Sequence, residues 1–279
     1  MLKYRFVFLF LLSATVILYS CKPVSDRDKQ PEIAVSNSYL LSVVKDICTE
    51  QTEVMSLAPP GMCPGHFDIS PSQVNQLGGC SILLLFDFQE KIGDALSRLK
   101  ERGLKICIVE CPEGLCLPDT YLTIARSVAD VLLQDNPDGK AEYNIQLEQI
   151  KNRLDELSAG IHKKMEESGL SDAKVVTSGH QGVFADWLGL DVVATFAGSD
   201  TETPGSINQC LQQAKDKDVR FVIANKQEGT VLAKALAERL NADMVIFSNF
   251  PAGPSDTTNM PDFDRLLLEN ISNLLSTGE

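Results

Sequence analysis

Between Asp138 and Ser168 the chain carries one uninterrupted helical stripe. Ile150, Leu154, Leu157, Ile161 and Met165 recur at steps of 4, 3, 4 and 4 residues, the spacing that lines one face of an α-helix. Charged residues fill the other faces, and Gly169 stands at the end as a stop signal. At 1.5 Å per residue, a helix of roughly 30 residues is about 45 Å long.

On both sides of this helix the chain alternates strands and helices. Before it, the pattern predicts strands at Glu32–Ser36, Glu53–Leu57, Ile82–Phe86 and Leu104–Glu110. Cys80 stands at the start of the third of these. Helices are predicted from Tyr39 to Ile47, after a Ser70 cap with Pro71, from Lys91 to Arg102, and from Leu117 to Leu133 after Pro118. After the long helix come strands at Lys174–Thr177, Val192–Phe196, Arg220–Ala224 and Met244–Phe247, with helices at Thr230–Leu240 and Asp262–Leu275. Fully apolar runs such as Ile82–Phe86 are the buried, parallel kind of strand. Such alternation implies parallel sheets. The expected fold is α/β: two Rossmann-like lobes with parallel sheets, joined by one long rigid helix. The expected boundaries are 32–134 for the first lobe, 135–169 for the connecting helix and 170–279 for the second lobe. Ligands of open α/β sheets sit at the carboxyl ends of the strands, so the cleft between lobes is the expected site.

The first 20 residues read as a secretory signal. Lys3 and Arg5 precede an apolar run from Phe6 to Leu18, interrupted by Ser13 and Thr15. That run is short for a bilayer span. Leu18-Tyr19-Ser20-Cys21 resembles the lipobox of bacterial lipoproteins, which implies cleavage before Cys21 and lipidation of its thiol. Residues 21–31 would then be the lipidated Cys and a linker, and the body would sit outside the cytoplasm, anchored to the membrane. A non-lipidated signal or a plain anchor helix is the alternative.

The remaining body of about 250 residues is enough for two modest domains. Net charge is −13, with 38 acidic against 25 basic residues, which argues against a nucleic-acid partner. Beyond Cys21 there are seven cysteines, an odd number for an exported chain in an oxidising compartment. Cys107, inside an apolar strand, reads as a buried inert thiol.

Several segments together resemble the metal-binding solute-binding lipoproteins of ABC importers, the zinc/manganese group. They are Ala58-Pro-Pro-Gly-Met-Cys-Pro-Gly-His66 through Ser72, Asp135-Asn136-Pro137, Val176-Thr-Ser-Gly-His180 with Trp187-Leu-Gly-Leu190, and the ending Asn270-Ile-Ser-Asn-Leu274. The resemblance covers roughly residues 32–275. It implies capture of zinc, manganese or iron between the lobes by imidazoles and a carboxylate, and delivery to an ABC transporter permease by a monomeric receptor. Its ligand set carries over only in part. His66 stands one place late in its loop, and Glu113 takes the place of the second His. His180 follows the right strand, but two residues closer to Gly189-Leu190 than is usual. Asn225 stands where the family has Glu, and Ser248-Asn249 stands where it often has Asp. The expected metal ligands are therefore His66, His180 and Glu113.

Cys63, Cys111, Cys116, Asn225 and Asn249 are expected to line the cleft. A Cys–His pair at ligand spacing, Cys63 with His66, and the cluster of Glu110, Cys111, Glu113 and Cys116 would suit a borderline metal. A disulfide, Cys63–Cys116 or Cys63–Cys111, and free thiols are the alternatives. His162, among Lys163, Lys164 and Glu166, reads as a solvated surface residue. Ser178 lies two residues from His180, but a nucleophilic pair needs the side chains to meet and a third group to orient them. Three functions stay open: a metal receptor for an importer, a receptor of the same fold for a non-metal solute or metal chelate, and an extracytoplasmic enzyme or adhesin.

Overall fold

The structure, a computed structural model, describes residues 32–48, 52–62, 68–198, 202–253 and 259–278. The expected signal segment, Cys21, Cys63 and His66 lie outside the described residues.

The first lobe is a parallel sheet of β1 (Ile33–Val35), β2 (Val54–Ser56), β3 (Ile82–Phe86) and β4 (Lys105–Val109), in the order β2-β1-β3-β4. The second repeats that order with β5 (Lys174–Ser178), β6 (Asp191–Phe196), β7 (Phe221–Asn225) and β8 (Asp243–Phe247), as β6-β5-β7-β8. Register is set along the central pairs, Val35 opposite Leu84 and Thr177 opposite Ile223. Side chains alternate between the two faces of each sheet, as strand geometry demands. In β3, Ile82, Leu84 and Phe86 face the core shared with the connecting helix, whereas Leu83 and Leu85 face the outer helices. Both faces of β3 and of β7 are covered, which is why these two read as continuous apolar runs.

The helices of the first lobe are α1 (Ser38–Ile47), α2 (Pro71–Leu77), α3 (Glu90–Ala95), α4 (Ser97–Lys100) and α5 (Pro118–Asp135). The Ser70 cap forms a full capping box with Gln73. The single helix expected over Lys91–Arg102 is two short ones, broken at Leu96. Leu96 turns inward there and is buried against the outer face of the sheet. Cys80 is buried just before β3, not in it.

The long helix, α6 (Lys140–Ser168), is unbroken and ends at Gly169 with a left-handed φ of 67°. Ile150, Leu154, Ile161 and Met165 are buried along it. It packs on α1 and α5 of the first lobe and on α10 (Asp262–Gly278) of the second. The second lobe also holds α7 (Gly182–Trp187), α8 (Pro204–Ala214) and α9 (Val231–Leu240). Sequence reading missed α7 and α8. The start of α8 is signalled by Thr203 and Pro204, but its capping partner is Ser206, and Gly205 weakens its first turn. His162 is at the surface, as expected. Exposed as it is, it rests on Trp187 with ring centroids 4.4 Å apart, and its Nε2 is 3.0 Å from the Trp187 carbonyl. No described helix is long and apolar enough to cross a membrane.

At the mid-length of α6 the two lobes meet through charge. Arg153 pairs with Asp46 on α1 and with Asp264 on α10. Tyr121 of α5 donates to Asp46 at 2.8 Å, and its ring stacks on Phe263 with centroids 4.1 Å apart.

Candidate functional site

Three strands, β3, β5 and β7, each run into a short 3-10 turn: Asp87–Gln89, Gly179–Gln181 and Lys226–Glu228. These turns bring polar side chains to the carboxyl ends of the sheets, where the lobes face each other.

The interior of this contact is neutral. Gln181 is fully buried. Its Nε2 donates to Asn249 Oδ1 at 2.9 Å and reaches Asn225 Oδ1 at 3.5 Å. From the first lobe, the Cys116 thiol donates to the Ser248 carbonyl at 3.1 Å and approaches Asn249 Oδ1 at 3.4 Å. Asn270 Nδ2 approaches the Cys116 sulfur at 3.6 Å and donates to the Ser248 carbonyl at 2.9 Å. A second link crosses the lobes: Gln227 Nε2 donates to the Gly61 carbonyl and to Ser248 Oγ, both at 2.9 Å. Gln227 Oε1 in turn accepts from the Asn249 amide at 3.0 Å. Three buried polar atoms at the strand ends, Gln89 Nε2, Thr177 Oγ1 and Gln181 Oε1, make no hydrogen bond.

The rim is charged. His180 follows β5 with its side chain 70% exposed, and its Nδ1 lies 2.7 Å from Oε1 of Glu228, which is 18% exposed. Ser178 Oγ donates to the other oxygen of Glu228. Ser178 and His180 thus meet through a shared carboxylate, not with each other. Burial alone would raise the Glu228 carboxyl. The hydrogen bonds from His180 and Ser178 outweigh it and hold the pKa below the ordinary value. For His180 the hydrogen bond to Glu228 dominates over burial and raises the imidazole above its ordinary value.

Glu113 is exposed in the loop before α5, where its backbone carbonyl accepts from Thr120 Oγ1 at 3.1 Å. Cys111 is half-buried nearby. The described cysteines, Cys48, Cys80, Cys107, Cys111, Cys116 and Cys210, are free thiols. Burial pushes the Cys111 thiol up to about 12, with Asp87 adding to it. Burial also raises Cys116 well above the ordinary thiol value, against a smaller opposing effect from Asn270. Both are held as thiols, not as the thiolate that attacks or ligates. Among the described residues, no three His, Cys, Asp or Glu side chains come together as a metal-holding group. The described site therefore brings Cys116, Asn225 and Asn249 into one network, through Gln181, and places His180 at its rim. Gln181, Gln227 and Glu228 were not foreseen. Their recurrence at the second and third positions after a buried strand was the available signal.

Two parallel sheets joined by a single helix, with polar strand ends facing each other, define a two-lobe binding protein. A family model described as "ZnuA: Zinc-uptake complex component A periplasmic" matches residues 116–276. The chain belongs to this zinc-uptake complex component A family of periplasmic proteins. Solved structures share the fold. The crystal structure of ZnuA is 16% identical with a TM-score of 0.70, over 89% of this chain and 99% of that one. The Cd-bound periplasmic metal binding protein from Candidatus Liberibacter asiaticus is 14% identical with a TM-score of 0.73, over 88% and 99%. Its Mn-bound form gives 14% and 0.72 over the same shares. No curated protein sequence matches the chain.

Proposed function

We propose that this chain is an extracytoplasmic, lipid-anchored receptor that captures a divalent transition metal, zinc, manganese or iron, and delivers it to an ABC importer. The observation that carries the reading is His180. It stands at the carboxyl end of a central strand, in a fold shared with zinc-, manganese- and cadmium-bound proteins, with one ring nitrogen already held by a carboxylate. Imidazole suits these borderline ions. His66 and Glu113 from the first lobe are the proposed partners. Binding is tested by calorimetry on the soluble body after metal removal. The parent should bind at least one of zinc, manganese and iron(II) tightly, and His66→Ala with His180→Ala should abolish this with the fold intact. A parent no tighter than the double variant ends the metal reading. The anchor is tested separately: Cys21→Ala should leave the chain unprocessed or released from the membrane fraction.

A second reading has its own support. Amides and a thiol, not carboxylates, fill the interior of the lobe contact, and Gln181 Oε1 and Thr177 Oγ1 are buried without partners. Such atoms are characteristic of a site completed by ordered water or ligand. A neutral polar solute or a metal chelate is the ligand class this interior would suit.

A further inference from the structure

We propose that Glu228 is the positioning residue of the second lobe's metal half-site, fixing His180 in the tautomer whose Nε2 is the coordinating atom. The inference rests on the metal-receptor reading and names the residue that makes His180 a usable ligand. A neutral imidazole carries one proton, and an acceptor at one nitrogen draws the proton there. Glu228 Oε1, 2.7 Å from Nδ1, is such an acceptor. The proton sits on Nδ1, and the lone pair is left on Nε2 of a side chain that is 70% exposed. Carboxylates placed in this way orient metal-binding imidazoles and raise their basicity.

Glu228 is itself held. Ser178, fully buried at the end of β5, donates to the second carboxylate oxygen. The chain also leaves it room. A Cβ at residue 198 would lie 3.0 Å from Glu228 Oε1 and 3.3 Å from its Cβ, and residue 198 is Gly. The β5 end, the β7 turn and the loop after β6 thus converge on one carboxylate whose outward contact is His180. A metal arriving at Nε2 of the neutral ring displaces no proton from it, and Nδ1–H stays donated to Glu228.

The test combines nitrogen NMR of the histidine rings with zinc competition against a chromophoric chelator, on the metal-free mature body. His180 is assigned by the signals lost in His180→Ala. The parent should show His180 protonated on Nδ1, and Glu228→Ala should move the proton toward Nε2. Glu228→Gln should weaken zinc binding roughly 10- to 100-fold. Gly198→Ala, which keeps every polar group but crowds the carboxylate, should weaken it to a smaller degree. Unchanged circular dichroism keeps these comparisons on folded protein. A parent ring protonated on Nε2, or a Glu228→Gln variant that holds zinc as the parent does, overturns the role given to Glu228 alone. A parent that binds no zinc, manganese or iron(II) overturns the receptor reading and the half-site with it.

Discussion

Among the described residues, two of the contacts between the lobes are built from opposite chemistry. At the cleft the lobes meet through neutral groups, Cys116 on Ser248 and Asn249, and Gln227 on Gly61. Around α6 they meet through Asp46, Arg153 and Asp264, three mostly buried charges beside the stacked rings of Tyr121 and Phe263. Neutral hydrogen bonds exchange readily with water and contribute about 0.5–1.5 kcal/mol each. Separating a buried ion pair strands a charge, at a cost of about 3–5 kcal/mol. These magnitudes predict that the cleft contact opens before the contact around α6, by a small rotation about that helix.

The largest expected effect comes from removing the shared cation. Arg153→Ala leaves Asp46 and Asp264 facing each other and should cost about 3–5 kcal/mol in denaturant unfolding. A loss below about 1 kcal/mol would mean that the aromatic stack, not the charge, holds the hinge. Arg153→Met separates these, since an apolar replacement fills the space without restoring the cation.

Next in size is a pH effect. Burial raises the Asp264 carboxyl to about 6, with Arg153 opposing and Asp46 reinforcing the shift. Arg153 Nε and Asp264 Oδ1 lie 3.2 Å apart without forming a hydrogen bond, so their attraction is coulombic and only partly offsets burial. A raised carboxyl pKa means that the folded chain takes the proton more readily than the unfolded one. The Asp264 contribution to stability is then present below the ordinary carboxylate range and lost as pH rises through about 6. Between about pH 4 and 6 its share should fall by on the order of 2 kcal/mol. Asp264→Asn should remove that component of the slope. An Asn variant with the parent's slope would assign the titration to another group.

The cleft contacts should give the smallest changes. Cys116→Ala removes one thiol hydrogen bond but leaves the Ser248 carbonyl satisfied by Asn270, so a loss of about 1 kcal/mol or less is expected. Gln227→Ala removes three hydrogen bonds, one of them the acceptor of the Asn249 N–H, and should cost somewhat more, about 1–2 kcal/mol. Either change should widen the opening seen by solution scattering more than it lowers stability. Alkylation of Cys116, followed by peptide mapping, should be slow in the parent and faster in Gln227→Ala, because its raised pKa and burial protect it only while the lobes are together. Equal rates would show that this contact does not latch the cleft.

The sequence exposed the architecture because burial leaves a periodic trace. The α6 stripe and runs such as Ile82–Phe86 repeat at the spacing of their own backbone, whatever packs against them. Where the trace was weak, reading failed: α7 is six residues long, and α8 opens on Gly205 with a Ser as capping partner. The site was legible in a different sense. His180, Asn225 and Asn249 were recognisable as residues at strand ends, but their partners were not. Glu228 is 48 residues from His180, and Gln181 is 68 from Asn249.

Local order, strand and helix identity, and the presence of two α/β segments were thus set by the chain alone, since propensity and hydrophobic period act over a few residues. Which carboxylate holds His180, which amides fill the lobe contact, and the sharing of Arg153 between two lobes were decided only by the tertiary structure. Hydrogen bonds and buried charges are selected by distance and desolvation, and both are set when the sheets and helices have packed.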